Sequence, residues 1–313
     1  MFGKNKKEKL FKELENADKL SARKINKICA EIFAVAKKGD GEAYYKLYEF
    51  AKNNYKNRRA DIKYYDWLGA LQKAAELEYP KAVCEYYGRH CPEDTSKAIA
   101  MLERAAAKGS DEACIQLSKI YDRAFHGYAN DGLEKLTKEE CAEKNIECLT
   151  VAAERGNTDA QIMLGNFLSL YRGDLDGGEK WFALAAEKDQ AEAYLGLARI
   201  YKKKEELYKA QKYYKLSADK GNIYALGGLG EVLLLPGMYQ NIDNGLKILE
   251  ESVNKGNMVS ALKLSDLYEK GEIIPQDLEK AKFWKDKSEE IRKNFLKRNE
   301  KIEAKAAKDL SED

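Results

Sequence analysis

Small and apolar residues recur along this chain at intervals of three and four, with charged residues between them. That is the period of helices that each bury one face. The segments AAAKGSDEACIQLSKIY, AAERGNTDAQIMLGNFL, AAEKDQAEAYLGLARIY and SADKGNIYALGGLGEVL share one frame. In each, a helix-like stretch closes on small residues and usually a glycine. An alanine follows four residues later, and a leucine four beyond that. With the glycine as anchor, the frame falls at Gly39, Glu78, Gly109, Gly156, Asp189, Gly221 and Gly256. Anchor plus four is Ala43, Ala82, Ala113, Ala160, Ala193, Ala225 and Ser260. Anchor plus eight is Leu47, Tyr86, Leu117, Leu164, Leu197, Leu229 and Leu264. The anchors average about 36 residues apart, which is the range of stacked repeats rather than of one large core.

The frame has a packing reason. Positions four apart share a helix face, and a small residue followed by Leu lets another helix approach closely. Ala105 and Ala106, Ala152 and Ala153, and Ala185 and Ala186 place the same small face at the end of the preceding helix. Aromatic pairs, Trp181 with Phe182 and Tyr213 with Tyr214, sit seven and eight before two anchors. Each repeat is therefore predicted as a helix, a short turn and a second helix. Glycine at the anchor suits a left-handed residue at a helix C-terminus, and the Asp, Asn or Ser after it suits the start of the next helix. Only four prolines interrupt the chain, and no sustained alternation signals strands. The expectation is an all-α chain, a right-handed superhelical α-solenoid of stacked antiparallel helix pairs.

Composition narrows the class. The 55 Lys+Arg and 53 Asp+Glu nearly cancel to +2, against the basic excess usual for a nucleic-acid binder. With 44% hydrophobic residues the chain is too apolar for a disordered one. Charges break the N-terminal MFGKNKKEKLFKELENADKL too often for a secretory signal, and no apolar run is long enough to span a membrane. Six cysteines (Cys29, Cys84, Cys91, Cys114, Cys141, Cys148) fit a reducing compartment, where thiols pack as small apolar groups. A cytoplasmic location is expected.

The pattern resembles the Sel-like repeat family, a relative of the tetratricopeptide repeats. The stretch GNMVSALKLSDLYEKGEIIPQDLEKAKFWKDKSEE carries that family's features in order: Gly256, Leu264, Tyr268, Gly271, Asp277, Lys280 with Ala281, and Phe283 with Trp284. The resemblance runs over about residues 28 to 292. It implies the solenoid fold, packing roles for Tyr121, Tyr201 and Tyr268, and a scaffold that binds proteins. Cys114 stands where cysteine-rich secreted relatives have one half of a disulfide, but Ala106 occupies the partner position, so that bridge is absent. The longest interval is stretched by DRAFHGYANDGLEKLTKEECA, and the region 53–66 is irregular and basic.

The domain expectation follows: an N-terminal helical cap over 1–38, about seven repeats over 39–292 with an insertion near 122–141, and a charged helical tail over 293–313. Residues 1–27 carry nine Lys/Arg and four Asp/Glu, as suits an end that nothing stacks upon.

Candidate chemistry is sparse. The two histidines, His90 and His126, stand in no recognisable catalytic motif. GGLGEVLLL at Gly227 lacks the Lys-Ser/Thr ending and the preceding strand of a phosphate loop, so its glycines are read as allowing close helix approach. Cys84, His90 and Cys91 are three thiol or imidazole groups where zinc sites use four at recognisable spacings. Cys141 and Cys148 share one helix face and have no activating base in sequence. The basic runs 4–12, 52–59 and 202–204 read as solvated helix faces. No catalytic residue, metal or cofactor is expected.

The functional expectation is therefore stoichiometric binding of a protein or peptide partner. Tyr44, Tyr45 and Tyr194, just after the small residue of a first helix, are candidates to line a concave face; Phe125 and Tyr128 in the insertion are candidates for a second contact. A narrower form is a regulator or toxin-immunity protein. A nucleic-acid accessory role through the basic faces is the alternative, and an enzyme stands behind both. No membrane contact is expected, and the balanced surface imposes no oligomeric state.

Overall fold

Every one of the seven anchors has a positive φ in the computed structural model of the chain. Gly39, Gly109, Gly156, Gly221 and Gly256 lie between +84° and +94°, and Glu78 and Asp189 lie at +58° and +60°. The left-handed residue reverses the chain, and the next side chain then starts the following helix. Asp40, Ser110, Asn157, Asn222 and Asn257 each accept a backbone N–H two or three residues on. In four of these turns the donor is the small residue at anchor plus four. Such caps are worth about 1 kcal/mol each. Gln190 occupies the same place without a side-chain cap bond.

The structure describes residues 2–17, 20–54, 66–90, 95–128, 133, 135–238 and 240–311. Among them are sixteen α-helices and no strand. The chain divides into two compact units, residues 1–160 and 161–313. The first holds α1 (Phe2–Glu15), α2 (Ala22–Ala36), α3 (Gly41–Asn54), α4 (Trp67–Glu76), α5 (Pro80–His90), α6 (Thr95–Ala107), α7 (Asp111–Phe125) and α8 (Lys138–Glu154). The division falls in α9 (Thr158–Phe167), which a π-helical turn, Leu168–Arg172, prolongs. The second unit continues with α10 (Leu175–Ala186), α11 (Ala191–Lys203), α12 (Leu207–Asp219), α13 (Ile223–Leu234), α14 (Ile242–Asn254), α15 (Met258–Lys270) and α16 (Leu278–Ser311). Consecutive helices pack together: α3 on α4 and α7 on α8 in the first unit, α11 on α12, α13 on α14 and α15 on α16 in the second. The fold is an all-α stack of helix pairs. No helix of the described residues is long and apolar enough to cross a membrane.

The frame residues are core residues. All seven small residues at anchor plus four are buried, and so are Leu47, Leu117, Leu164, Leu197, Leu229 and Leu264 at plus eight. Two clusters of unit 1 are formed among the described residues. One joins Leu10, Phe11 and Leu14 of α1 to Ile25, Ile28, Ile32 and Leu47, so the N-terminal helices are packed rather than appended. The other runs through Tyr45, Tyr48, Leu71, Leu102, Leu117 and Tyr121. Unit 2 is cored by Phe182, Leu197, Tyr201, Tyr214 and Leu229, then by Leu234, Leu249, Leu264 and Leu267.

The two anchors that are not glycine spend their side chains on ion pairs. Glu78 accepts from Arg104 Nε at 2.8 Å and Lys108 Nζ at 3.0 Å. Asp189 pairs with Lys220 and accepts from the Tyr194 hydroxyl at 3.0 Å. Lys108 and Lys220 each directly precede the next anchor, at a helix C-terminus where a cation also favours the backbone dipole.

A candidate partner-binding surface

The five aromatic residues singled out by sequence occupy different environments. Tyr45 is only 7% exposed. Its hydroxyl donates to Glu85 Oε2 at 3.0 Å, and its ring lies 5.2 Å from that of Tyr79. Tyr44 is half-buried and meets Phe33 edge-on at 6.1 Å. Tyr194, in the other unit, is tied by its hydroxyl to Asp189 and to the Ala186 carbonyl, and stacks on Tyr213 at 6.2 Å. Tyr44 and Tyr45 thus sit side by side among core contacts. Phe125 and Tyr128 come together through His126: Phe125 meets it edge-on at 5.0 Å and Tyr128 stacks on it at 6.2 Å. Lys138 Nζ lies 4.7 Å from the Phe125 ring centre. Tyr128 is 77% exposed, and a pocket of about 320 Å³ opens beside Phe125, Leu136 and Cys141.

Glu85 organises the first-helix face of unit 1. It lies on α5 and accepts from Tyr48 Oη at 2.5 Å and Lys52 Nζ at 2.6 Å, both on α3, as well as from Tyr45. Burial pushes its carboxyl up, but the bonds from Lys52 and Tyr48 outweigh this and hold it below its ordinary value. Burial and the nearby carboxylate together push the Tyr45 hydroxyl well above its own. These four side chains form one hydrogen-bonded cluster between α3 and α5.

Unit 2 builds the corresponding face differently. Gly196 and Gly228 both stand seven residues after an anchor, and the rings of Phe182 and Tyr214 stand seven before the same anchors. A Cβ at Gly196 would come within 2.4 Å of the Phe182 ring, and one at Gly228 within 2.3 Å of Tyr214. The second-helix ring slides into the space the glycine leaves. Gly227 adds a second gap, where a Cβ would meet Ser260 Oγ at 2.5 Å. Beneath it Ser252, Asn257 and Ser260 satisfy one another and the Ile223 carbonyl.

Over these glycines lies a groove of about 500 Å³. It is lined by Gly227, Gly228 and Tyr214 and by the apolar side chains of Tyr224, Val259 and Leu170, exposed by 56%, 53% and 48%. Leu170 lies in the π-helical turn, a distortion found often at functional sites. Arg199, Lys202, Lys203 and Glu231 complete the lining. Lys202 pairs with Glu231 at 2.5 Å, and Lys203 Nζ donates to the Ser169 carbonyl at 3.2 Å. Sequence reasoning missed this groove. Its signal was the GGLG run after Asn222, together with Tyr224 and Val259 at anchor plus three, where the five earlier first helices carry Glu42, Lys81, Glu112, Asp159 and Glu192.

The described cysteines are free thiols, buried or half-buried. Burial pushes the thiols of Cys84 and Cys148 up to about 12, with lesser charge effects, and that of Cys29 up to about 11. Cys114 is a free, buried thiol. Among the described residues no group of three His, Cys, Asp or Glu side chains is placed to hold a metal. The His90 side chain and Cys91 lie outside the described residues, as does most of the basic run 52–59. Within the other two basic runs, Lys7 pairs with Asp40 and Glu42, and Lys204 with Asp176 and Glu179.

Set beside known proteins, the chain matches the Sel1 repeat model at residues 82–110, 158–190, 191–222 and 259–285. Three of these segments end one residue past an anchor, which places the family repeat on the same frame. No curated protein matches the chain. Among solved structures, a protective antigen of uropathogenic Escherichia coli strains with an SLR fold is 19% identical, with a TM-score of 0.61. The match covers 88% of this chain and 60% of that one, and it shows the fold alone. A Sel1 repeat protein from Oxalobacter formigenes is 22% identical over 67% of this chain and 84% of its own, with a TM-score of 0.49. An immunity protein from Pseudomonas aeruginosa is 16% identical over 91% of this chain and 82% of its own, with a TM-score of 0.29.

Proposed function

From the premise that the chain is a Sel1-repeat protein, we propose that it works by stoichiometric binding, as a non-catalytic scaffold that holds a partner protein or peptide on the first-helix face of unit 2. Sel1-repeat proteins generally act as protein-interaction scaffolds, which sets the class. The observation that carries the choice of face is the groove over Gly227 and Gly228, lined by exposed Tyr224, Val259 and Leu170. Aromatic and aliphatic side chains held on rigid helices lose little freedom when a partner covers them. Tyr45 and Tyr48, by contrast, already spend their surfaces inside unit 1. The buried thiols accord with work in a reducing compartment. A narrower form of the reading makes the partner a toxin or signalling enzyme that this protein restrains.

The test is affinity capture from the source cell with the intact chain and with a Tyr224→Ala, Val259→Ser variant. Both positions are exposed, so the variant keeps its fold. A partner held by the first and lost by the second supports the reading. Retention by both moves the binding face elsewhere, with Tyr128 and the pocket beside Phe125 the next to alter. A chain that retains no protein at physiological salt overturns it.

A further inference from the structure

We infer that the unit 2 groove takes an acidic polypeptide segment that places one bulky apolar side chain over Gly227 and Gly228. This rests on the interaction reading above and adds the chemistry of the partner. The charge on the groove rim is uneven in a chain whose total nearly cancels. Three cations, Arg199, Lys202 and Lys203, line it against one carboxylate, Glu231. Glu231 is already matched by Lys202. Among the described residues Arg199 and Lys203 have no carboxylate partner, and Lys203 has only the Ser169 carbonyl. A partner carboxylate supplies what these two cations lack, while a basic segment would set like charges together.

The apolar half of the site sets the second requirement. Gly227 and Gly228 bring bare backbone to the groove beside Tyr214, and Tyr224, Val259 and Leu170 add exposed apolar side chains to its lining. A Leu, Phe or Met side chain seated there covers the exposed apolar side chains of Leu170, Tyr224 and Val259. Nucleic acid fits less well, because a phosphate chain calls for an extended cationic track. Here two unmatched cations stand beside a carboxylate.

The experiment is selection of a displayed library of short random peptides on the full chain, followed by direct binding of synthetic copies of the enriched peptides. The expected result is enrichment of sequences with several Asp or Glu flanking one large apolar residue. Charge reversal by Arg199→Glu with Lys203→Glu is expected to weaken them by about tenfold or more, since each change removes an ion pair and adds a repulsion. Raising salt from 0.1 M to 1 M shortens the screening length from about 10 Å to about 3 Å and is expected to weaken them too. Arg199→Gln with Lys203→Gln serves if the reversal disturbs folding. Enriched peptides that are basic or uncharged, or that bind the reversed variant equally, overturn the acidic-partner inference and leave the scaffold reading standing. Enrichment of nothing, together with no captured protein, overturns both. Retention of a single-stranded oligonucleotide at low salt that depends on Arg199 and Lys203 assigns the groove to nucleic acid and overturns the peptide.

Discussion

Two turns of unit 1, at Glu78 and Gly109, and two of unit 2, at Asp189 and Gly221, carry opposite pairings around the same frame. At Asp189 and Gly221 the ring seven residues before the anchor occupies the space that a side chain seven residues after it would need. In unit 1 the earlier residue is aliphatic, Leu71 or Leu102, and the later one is long, Glu85 or Gln116. At Asp189 and Gly221 in unit 2 the earlier residue is a ring, Phe182 or Tyr214, and the later one is Gly196 or Gly228, while at Gly256 the pair is Leu249 and Lys263, as in unit 1. The consequence reaches function. The long Glu85 side chain ties Tyr45, Tyr48 and Lys52 together, whereas Gly228, packed against the Tyr214 ring, lines a groove. The same frame therefore carries a polar cluster around Glu85 in one unit and a groove beside Gly228 in the other.

The comparison breaks most sharply at Phe182, which is 1% exposed and fills the space left by Gly165 and Gly196. Phe182→Ala removes the ring where no side chain on the facing helix can take its place. A loss of about 3–5 kcal/mol is expected. Hydrogen exchange should show it as lost protection in α9 to α11, with α3 to α5 unchanged. Equal loss in both units would mean that the trade between the paired positions is not local.

The matching change in unit 1 is Glu85→Ala. It leaves the nearly buried hydroxyls of Tyr45 and Tyr48 without this acceptor, and about 3 kcal/mol is the expected cost. Glu85→Gln keeps an acceptor and should recover most of it. The pH dependence has a definite sign. The folded carboxyl sits below its ordinary 4.5, so its contribution is present above that value and fades as pH falls through the folded one. Subtracting the profile of Glu85→Gln from that of the wild type isolates this group. A difference that grows on acidification would sink the account.

Gly228→Ala tests the other side of the trade. The added methyl meets the Tyr214 ring, and about 1–3 kcal/mol of overpacking is expected. Tyr214→Leu combined with it should cost less than the two changes summed, because the smaller side chain makes room. Strict additivity, read from denaturant midpoints, would show that the ring and the glycine are not competing.

How much of this was legible depends on distance along the chain. The anchors, the small residues and the leucines were readable because a helix imposes its period on nearby residues. The left-handed turn was therefore placed correctly even at Glu78 and Asp189, which carry no glycine. Tyr45 was read as a groove residue because its place on the helix was visible and its neighbour was not. Glu85, 40 residues on, is what draws it inward. The glycines of GGLG were read as allowing close approach, which holds for Gly228 against Tyr214. That they also line a groove needed the faces of α11, α13 and α15 together.

The smallest effect is the most discriminating for the anchors themselves. A side chain at positive φ costs about 1–2 kcal/mol that glycine avoids, but glycine loses about 0.5–1 kcal/mol more chain entropy on folding. Glu78→Gly should therefore stabilise unit 1 by about 0.5 kcal/mol, since the exposed pairs to Arg104 and Lys108 contribute little. Asp189→Gly should bring no gain. Asp enters the left-handed region more readily than Glu, and Asp189 also holds the Tyr194 hydroxyl and Lys220. Thermal or denaturant unfolding of the two variants side by side decides it. Stabilisation by both would mean that the carboxylates are tolerated rather than used. Destabilisation by Glu78→Gly would mean that the ion pairs at the turns, more than the left-handed geometry, hold successive repeats in register.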